Sequence, residues 1–383
     1  MDFDLSEEQR LLQESVGKLI TDEYDFEKRK AYAKEPAGYS EARWAQYAEL
    51  GLLGLPFAEG LGGSGGTPVE TMIVMEAFGR GLVLEPYLAT VILGGGLLRL
   101  AGSAAQQQEL IPAIAKGKLR LAFAHTERQS RYDLADVATS ARAAGGGYVL
   151  NGEKSVVLHG DSADRLIVLA RTAGGQREAS GLSLFLVDPR ADGVQRRGYS
   201  TQDGLRAAEI AFHDVKAAPD ALISTKDQAW PVVERVIDGA IAALSAEAVG
   251  VMSAAHEITV EYLKTRKQFG VPIGSFQALQ HRAVDMLVSL EQARSMAYLA
   301  TMMAGSEDTA ERRRMISAAK VQIGRSARFV GQQAIQLHGG IGMTMEYKVG
   351  HYFKRASMID TLFGDADHHL AIVAGTGGLI DPI

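Results

Sequence analysis

Cysteine is missing from all 383 residues, which excludes disulfides, thiolate zinc sites and thiol catalysis together. Basic charge is also scarce: 40 Lys and Arg stand against 46 Asp and Glu, and a net charge of −6 argues against a general nucleic-acid footprint. No apolar run reads as long enough to span a membrane. The first residues, MDFDLSEEQ, are acidic and polar where a signal peptide is basic and apolar. Internal repeats, low-complexity tracts and long linkers are lacking too. What is present is an ordinary globular balance, 46% hydrophobic and 22% charged, in a chain long enough for two or three packed units. A cytoplasmic enzyme or enzyme subunit is the expectation.

Periodicity divides the chain into helical, β and helical stretches, an α+β multidomain pattern with breaks near 119–120 and 225–226. Ser6 and Gln9 form a capping box ahead of Leu12, Val16 and Leu19, and a second helix surrounds Trp44 and Tyr47. Five glycines between Gly60 and Gly66 break the next stretch. Gly94, Gly95 and Gly96 allow close helix packing but are no phosphate loop, because no strand precedes them. From Arg120, short alternating runs such as LAFAHTE, RLIVLAR, LSLFLV and AAEIAFHDV read as strands. Asn151-Gly152 reads as a hairpin turn between Leu150 and Val156. From Trp230 the pattern is helical again to about Gly375.

Two segments place donors near glycine. In TRKQFGVPIGSFQALQH a helix ends in Arg266 and Lys267, turns at Gly270, and a new helix starts from Ser275 as N-cap. A guanidinium, a flat ring and free amides at one corner suit a diphosphate, although basic residues also simply favour a helix C-terminus. In QLHGGIG, Gly339 and Gly340 leave backbone amides unshielded at a helix end.

Together these segments resemble the flavin-binding signature of the acyl-CoA dehydrogenase family. The resemblance runs over nearly the whole chain. It implies an N-terminal helical domain (1–119), a middle antiparallel β-barrel or sandwich (120–225) and a C-terminal four-helix-bundle domain (226–383). It further implies FAD as cofactor, an acyl-CoA thioester as substrate and electron-transfer flavoprotein as acceptor. Both segments reach across a subunit interface in that family. Carried over, Arg266 holds the diphosphate, Gln268 and Phe269 line the adenosine side with Ile273 and Gln277 beside them, and Gln336, Gly339 and Gly340 complete the contacts.

Elsewhere the sequence departs from the family. Thr126 and Glu127 remain from the stretch that seats the flavin ring, but the serine meeting the CoA arm is Tyr132. The tryptophan and threonine that meet the ring and its N5 are Val156 and Leu158, which offer neither an indole face nor a donor. The reaction needs a carboxylate to take the α-proton opposite the flavin. The family's two positions for it are Phe363 and Ala240, with Asp238 on the other side of the same helix and Ile241 where an arginine often follows. Asp365 and Asp367 stand where threonine and glutamine usually touch FAD, and Asp365 also reads as the N-cap of the last helix. His368 and His369 diverge by about 100° on a helix and do not suit one metal. Glu311 to Arg314 read as a solvated helix face or turn lip.

The half of the FAD site given to a neighbour is thus kept, and the half a chain builds for itself is eroded. This points to the base-lacking subunit of a heteromeric acyl-CoA dehydrogenase. Two alternatives are a homo-oligomer with Asp365, Asp367 or Glu127 recruited as base, and a redox-silent acyl-CoA-binding scaffold. Tyr132, Phe363 and small residues such as Ala240 suggest a pocket reshaped for a bulky or functionalised acyl chain.

Overall fold

The computed structural model describes residues 4–375, so Met1–Phe3 and the end of the last expected domain lie outside the described residues. In chain order, the helices before the sheet are α1 (Glu7–Glu23), α2 (Phe26–Tyr32), α3 (Glu41–Glu49) and α4 (Pro68–Gly81). A π-helical stretch, Leu88–Gly94, runs directly into α5 (Gly95–Ala101), and α6 (Ala104–Ala115) follows. The strands are β1 (Leu121–Ala124), β2 (Ser140–Ala144), β3 (Gly147–Leu158), β4 (Arg165–Arg171), β5 (Leu182–Val187), β6 (Val194–Ser200) and β7 (Arg206–Ala217). Then come α7 (Trp230–Thr265), the two-residue strands β8 (Lys267–Gln268) and β9 (Val271–Pro272), α8 (Gln277–Ala304), α9 (Thr309–His338), α10 (Val349–Thr361) and α11 (Ala366–Gly375). The chain divides into two compact units: residues 32–66 with 84–240, and residues 1–31 with 67–83 and 241–383.

The unit of residues 32–66 and 84–240 holds the sheet, in the order β1-β4-β2-β3-β7-β6 with β5 also on β4. Its core joins Leu150, Phe185, Ile210 and Phe212. The sheet is mixed rather than antiparallel, because β1 runs parallel to β4. All four residues of β1 are buried, as in a parallel strand covered on both faces, and alternation alone does not report strand direction. Asn151-Gly152 is not the hairpin turn. That turn is Gly145-Gly146, with φ of 59° and 81°, between β2 and β3. Asn151-Gly152 lies inside β3 at a bulge, where the Asn151 amide exchanges two hydrogen bonds of 2.9 Å with Asp214. Two of the three helix glycines do serve packing: a Cβ on Gly94 would sit 2.5 Å from Leu121 and one on Gly95 2.5 Å from Phe57, whereas one on Gly96 would make ordinary contact with Val236 at 3.5 Å.

In the other unit, the Ser6/Gln9 capping box starts α1, and Val16 and Ile20 bury its apolar face. Helices α4 and α7 meet backbone to backbone: a Cβ on Gly79 would lie 2.1 Å from Glu247 O, and one on Gly250 1.9 Å from Glu76 O. α8, α10 and α11 all pack on α9, which organises the C-terminal bundle. Ser275 does not cap α8. Its hydroxyl donates to Pro272 O at 2.8 Å, and the helix begins two residues later at Gln277. Arg312, in the expected solvated run, is buried and donates to Ser306 O on the turn lip. α7 is long and apolar enough to cross a membrane, against the sequence expectation, but 94% of its most apolar window is buried inside the structure.

Candidate functional site

Arg266 follows the last turn of α7, where its amide donates to Tyr262 O at 2.8 Å. The chain then makes a two-residue hairpin, β8 to β9, with Phe269 and Gly270 at the tip. Both have positive φ, 54° and 82°, as a tight hairpin turn requires. Phe269 is 91% exposed, an unusual state for a large aromatic, and meets Phe276 edge-on at 6.2 Å between ring centres. Arg266, Gln268 and Gln277 are exposed and Ile273 is half-buried. At the end of α9, Gln336, Gly339 and Gly340 are exposed as well, and a Cβ added at either glycine would meet nothing within 4 Å. A ring stack links the two segments: Tyr262, one turn before Arg266, packs on His338 with 4.5 Å between ring centres.

On the β unit, Thr126 precedes a carboxylate that is fully engaged. Glu127, 3% exposed, receives Lys154 Nζ at 2.7 Å and Thr139 N at 3.0 Å on Oε1, with Ala138 N at 2.9 Å and Gln129 Nε2 at 2.7 Å on Oε2. Burial alone would raise its pKa; the Lys154 charge and these hydrogen bonds outweigh it and hold the carboxyl below the usual range. Glu127 is therefore an anchor for the β1 end and not a proton acceptor in waiting. Val156, with φ of 52° and its side chain exposed, stands on a bulge of β3 beside half-buried Leu158. Tyr132 is half-buried under the Arg131 guanidinium, 5.9 Å from its ring centre.

At the positions expected for a base, Ala240 is fully buried and Asp238 is buried on the same helix. Phe363 occupies a left-handed backbone, φ 59°, followed by Gly364 at φ 111°. Asp365 caps α11 through His368 N at 2.9 Å, and Asp367 is exposed in the first turn. His369 is committed as well: Nε2 donates to Phe363 O and Nδ1 accepts from Ser317, both at 3.0 Å. Burial, and after it the Lys320 charge, push its pKa down to about 3, so the ring is neutral.

Family models of the acyl-CoA dehydrogenase N-terminal, middle and C-terminal domains match residues 6–118, 122–215 and 228–377. The chain belongs to the acyl-CoA dehydrogenase family. It is an FAD-dependent oxidoreductase of that class. It is 29% identical to a probable acyl-CoA dehydrogenase, YngJ, of Bacillus subtilis, over 98% of this chain and 99% of that one. It is also 29% identical to the subunit CarC of a caffeyl-CoA reductase–Etf complex from Acetobacterium woodii, over 86% of this chain and 87% of that one. Among solved structures, a variant of the Tcur3481–Tcur3483 steroid ACAD superposes with a TM-score of 0.86, at 29% identity and 97% coverage of each chain.

Several buried residues with specific polar contacts went unread in the sequence. Lys320, wholly buried on α9, donates to Ile359 O and to Asp360 O (2.9 Å), beneath the turn that carries Phe363. Arg355 and Glu247 form a buried two-pronged ion pair at 2.5 and 2.7 Å. His338 was visible within QLHGG but masked by its glycines; an imidazole one residue before a helix-ending glycine was the available signal.

Proposed function

We propose that this chain is the base-lacking subunit of a two-component acyl-CoA dehydrogenase, offering its nucleotide segments to a partner's flavin. The observation carrying this reading is the fate of the carboxylates. Glu127 is locked to Lys154, Asp365 caps a helix, Asp367 faces out, and the family's base positions hold Phe363 and Ala240. None of these groups is set to take an α-proton, so the partner supplies the base.

The residues fit FAD unevenly. Exposed Arg266 and the open amides of Gly339 and Gly340 suit a diphosphate, with Gln268, Phe269, Ile273, Gln277 and Gln336 around the nucleoside. Val156 and Leu158 supply the ring neither a flat face nor a side-chain donor. When bound, FAD accepts the hydride that leaves the acyl β-carbon. This chain's contribution is to grip and orient the phosphate end, and Thr126 is the remaining residue expected near the ring. Tyr132, Phe363 and the small Ala240 suggest a pocket reshaped for a bulky or functionalised acyl group, in keeping with a relative named for steroids, and the Etf complex of another relative supports an electron-transfer flavoprotein as acceptor.

The test is an anaerobic acyl-CoA titration followed by flavin bleaching. The chain alone is expected to stay unbleached, and the chain co-expressed with a base-bearing acyl-CoA dehydrogenase subunit to bleach. Bleaching by the chain alone, abolished in Asp367→Asn, would transfer catalysis to this polypeptide.

A further inference from the structure

His338 closes α9 immediately before Gly339, whose φ of 62° swings the chain away from the helix. His338 is 3% exposed and its ring packs in a three-ring cluster with two phenols: Tyr262 of α7 at 4.5 Å and 30°, and Tyr347 of the segment after α9 at 5.1 Å and 47°, the two phenols lying 6.4 Å from each other. Nδ1 lies 2.7 Å from Ala334 O, which can only accept, so the proton is on Nδ1. Nε2 is then a bare acceptor, buried with no hydrogen-bond partner among the described residues. The ring is thus held by one backbone hydrogen bond and by packing against the two phenols.

We propose that His338 is a positioning residue for the bound nucleotide. Clasped by Tyr262 and Tyr347, it ties the Arg266 hairpin to the Gly339–Gly340 turn so that both face one diphosphate. The inference rests on reading these segments as nucleotide-facing. Tyr262 passes the constraint on through its own carbonyl, which receives the Arg266 amide. Gly339 and Gly340 bring no side chain of their own to the turn, so the His338 ring before it and the buried Gly342 after it fix its direction.

The clasp works with a neutral ring. Burial, opposed by the Ala334 carbonyl, holds the His338 pKa below its ordinary value, and the titratable groups packed on the ring are the Tyr262 and Tyr347 phenols. A proton on Nε2 would make the buried ring a cation taken out of water, so the folded clasp is favoured above the ordinary histidine pKa and weakens as pH falls below it.

The experiment measures FAD dissociation by flavin fluorescence in whichever assembly of the full chain carries flavin, the isolated oligomer or the co-expressed complex. Which assembly carries it tests the proposed function; the His338 variants test this inference separately. His338→Ala is expected to weaken FAD binding about tenfold near pH 7.5, equivalent to about 1.4 kcal/mol of lost ring stacking. His338→Phe keeps the stack, so it is expected to retain FAD and to lose the wild-type weakening between about pH 7 and about pH 5.5. Should His338→Ala fail to fold, Tyr347→Leu removes one wall and is expected to weaken FAD similarly. Unchanged FAD affinity in His338→Ala or Tyr347→Leu, or an identical pH curve in His338→Phe, overturns the proposal.

Discussion

Lys320 shows how much a single buried charge can organise. Its ammonium closes the carbonyl end of α10, where helix carbonyls lack partners, and lies under the Phe363 turn. Burial pulls its pKa down, Asp360 and Asp365 pull it back up, and the balance is about 7. The unfolded chain keeps that proton to about 10.4, so between these values the unfolded state binds more protons and stability rises with pH. Urea unfolding of wild type from about pH 7 to about pH 9 should show this upward slope, up to about 1.4 kcal/mol per pH unit. Lys320→Met should lack it, and the same slope in the variant would show that another group titrates. Nothing in the sequence marks Lys320, because a lysine on an amphipathic helix reads as a surface residue until the packing of α10 and α11 on that face is known.

Element by element, what was legible followed periodicity, and what was not followed long-range pairing. The boundaries of β4 and β5 coincide with the runs RLIVLAR and LSLFLV, and the capping box places the start of α1. The hairpin at Gly145-Gly146 is local and its glycine pair went unread, but the sign of the β1–β4 pairing depended on a partner distant in the chain. So did the role of Asn151, whose amide answers Asp214 sixty-three residues away. The two FAD-like segments were legible as motifs, yet the Tyr262–His338 stack that joins them was not. Glycine positions make the distinction measurable. At Gly152, φ is 146° and a Cβ would fall 2.6 Å from Thr139 Cα, so Gly152→Ala should destabilise by about 1–3 kcal/mol. At Gly60 a Cβ meets nothing within 4 Å, and Gly60→Ala should be neutral or stabilising by about 0.4–1 kcal/mol. Thermal melts of the two variants compare them directly, and equal midpoints would contradict the register of β3.

At the scale of the whole molecule, the surface of the C-terminal unit is incomplete by itself. Val284, Leu287 and Val288 on α8, Phe329 on α9, and Phe269, Ile341 and Met343 beside the nucleotide segments are all exposed. Large exposed apolar groups of this kind mark an association surface. On the proposed reading, the exposed Arg266 and Gly339–Gly340 segments serve a neighbour's nucleotide, and the family's base positions hold Phe363 and Ala240 in place of a carboxylate. A homo-oligomer would set that face against the eroded ring positions at every site; a mixed assembly uses it once and leaves the reciprocal site without flavin. Native mass spectrometry of the chain, purified alone and with a base-bearing acyl-CoA dehydrogenase subunit, counts FAD per polypeptide. The account predicts little or no FAD on the chain alone and one FAD for each pair of unlike chains, whereas one FAD on every copy of this chain in a homo-oligomer would contradict it.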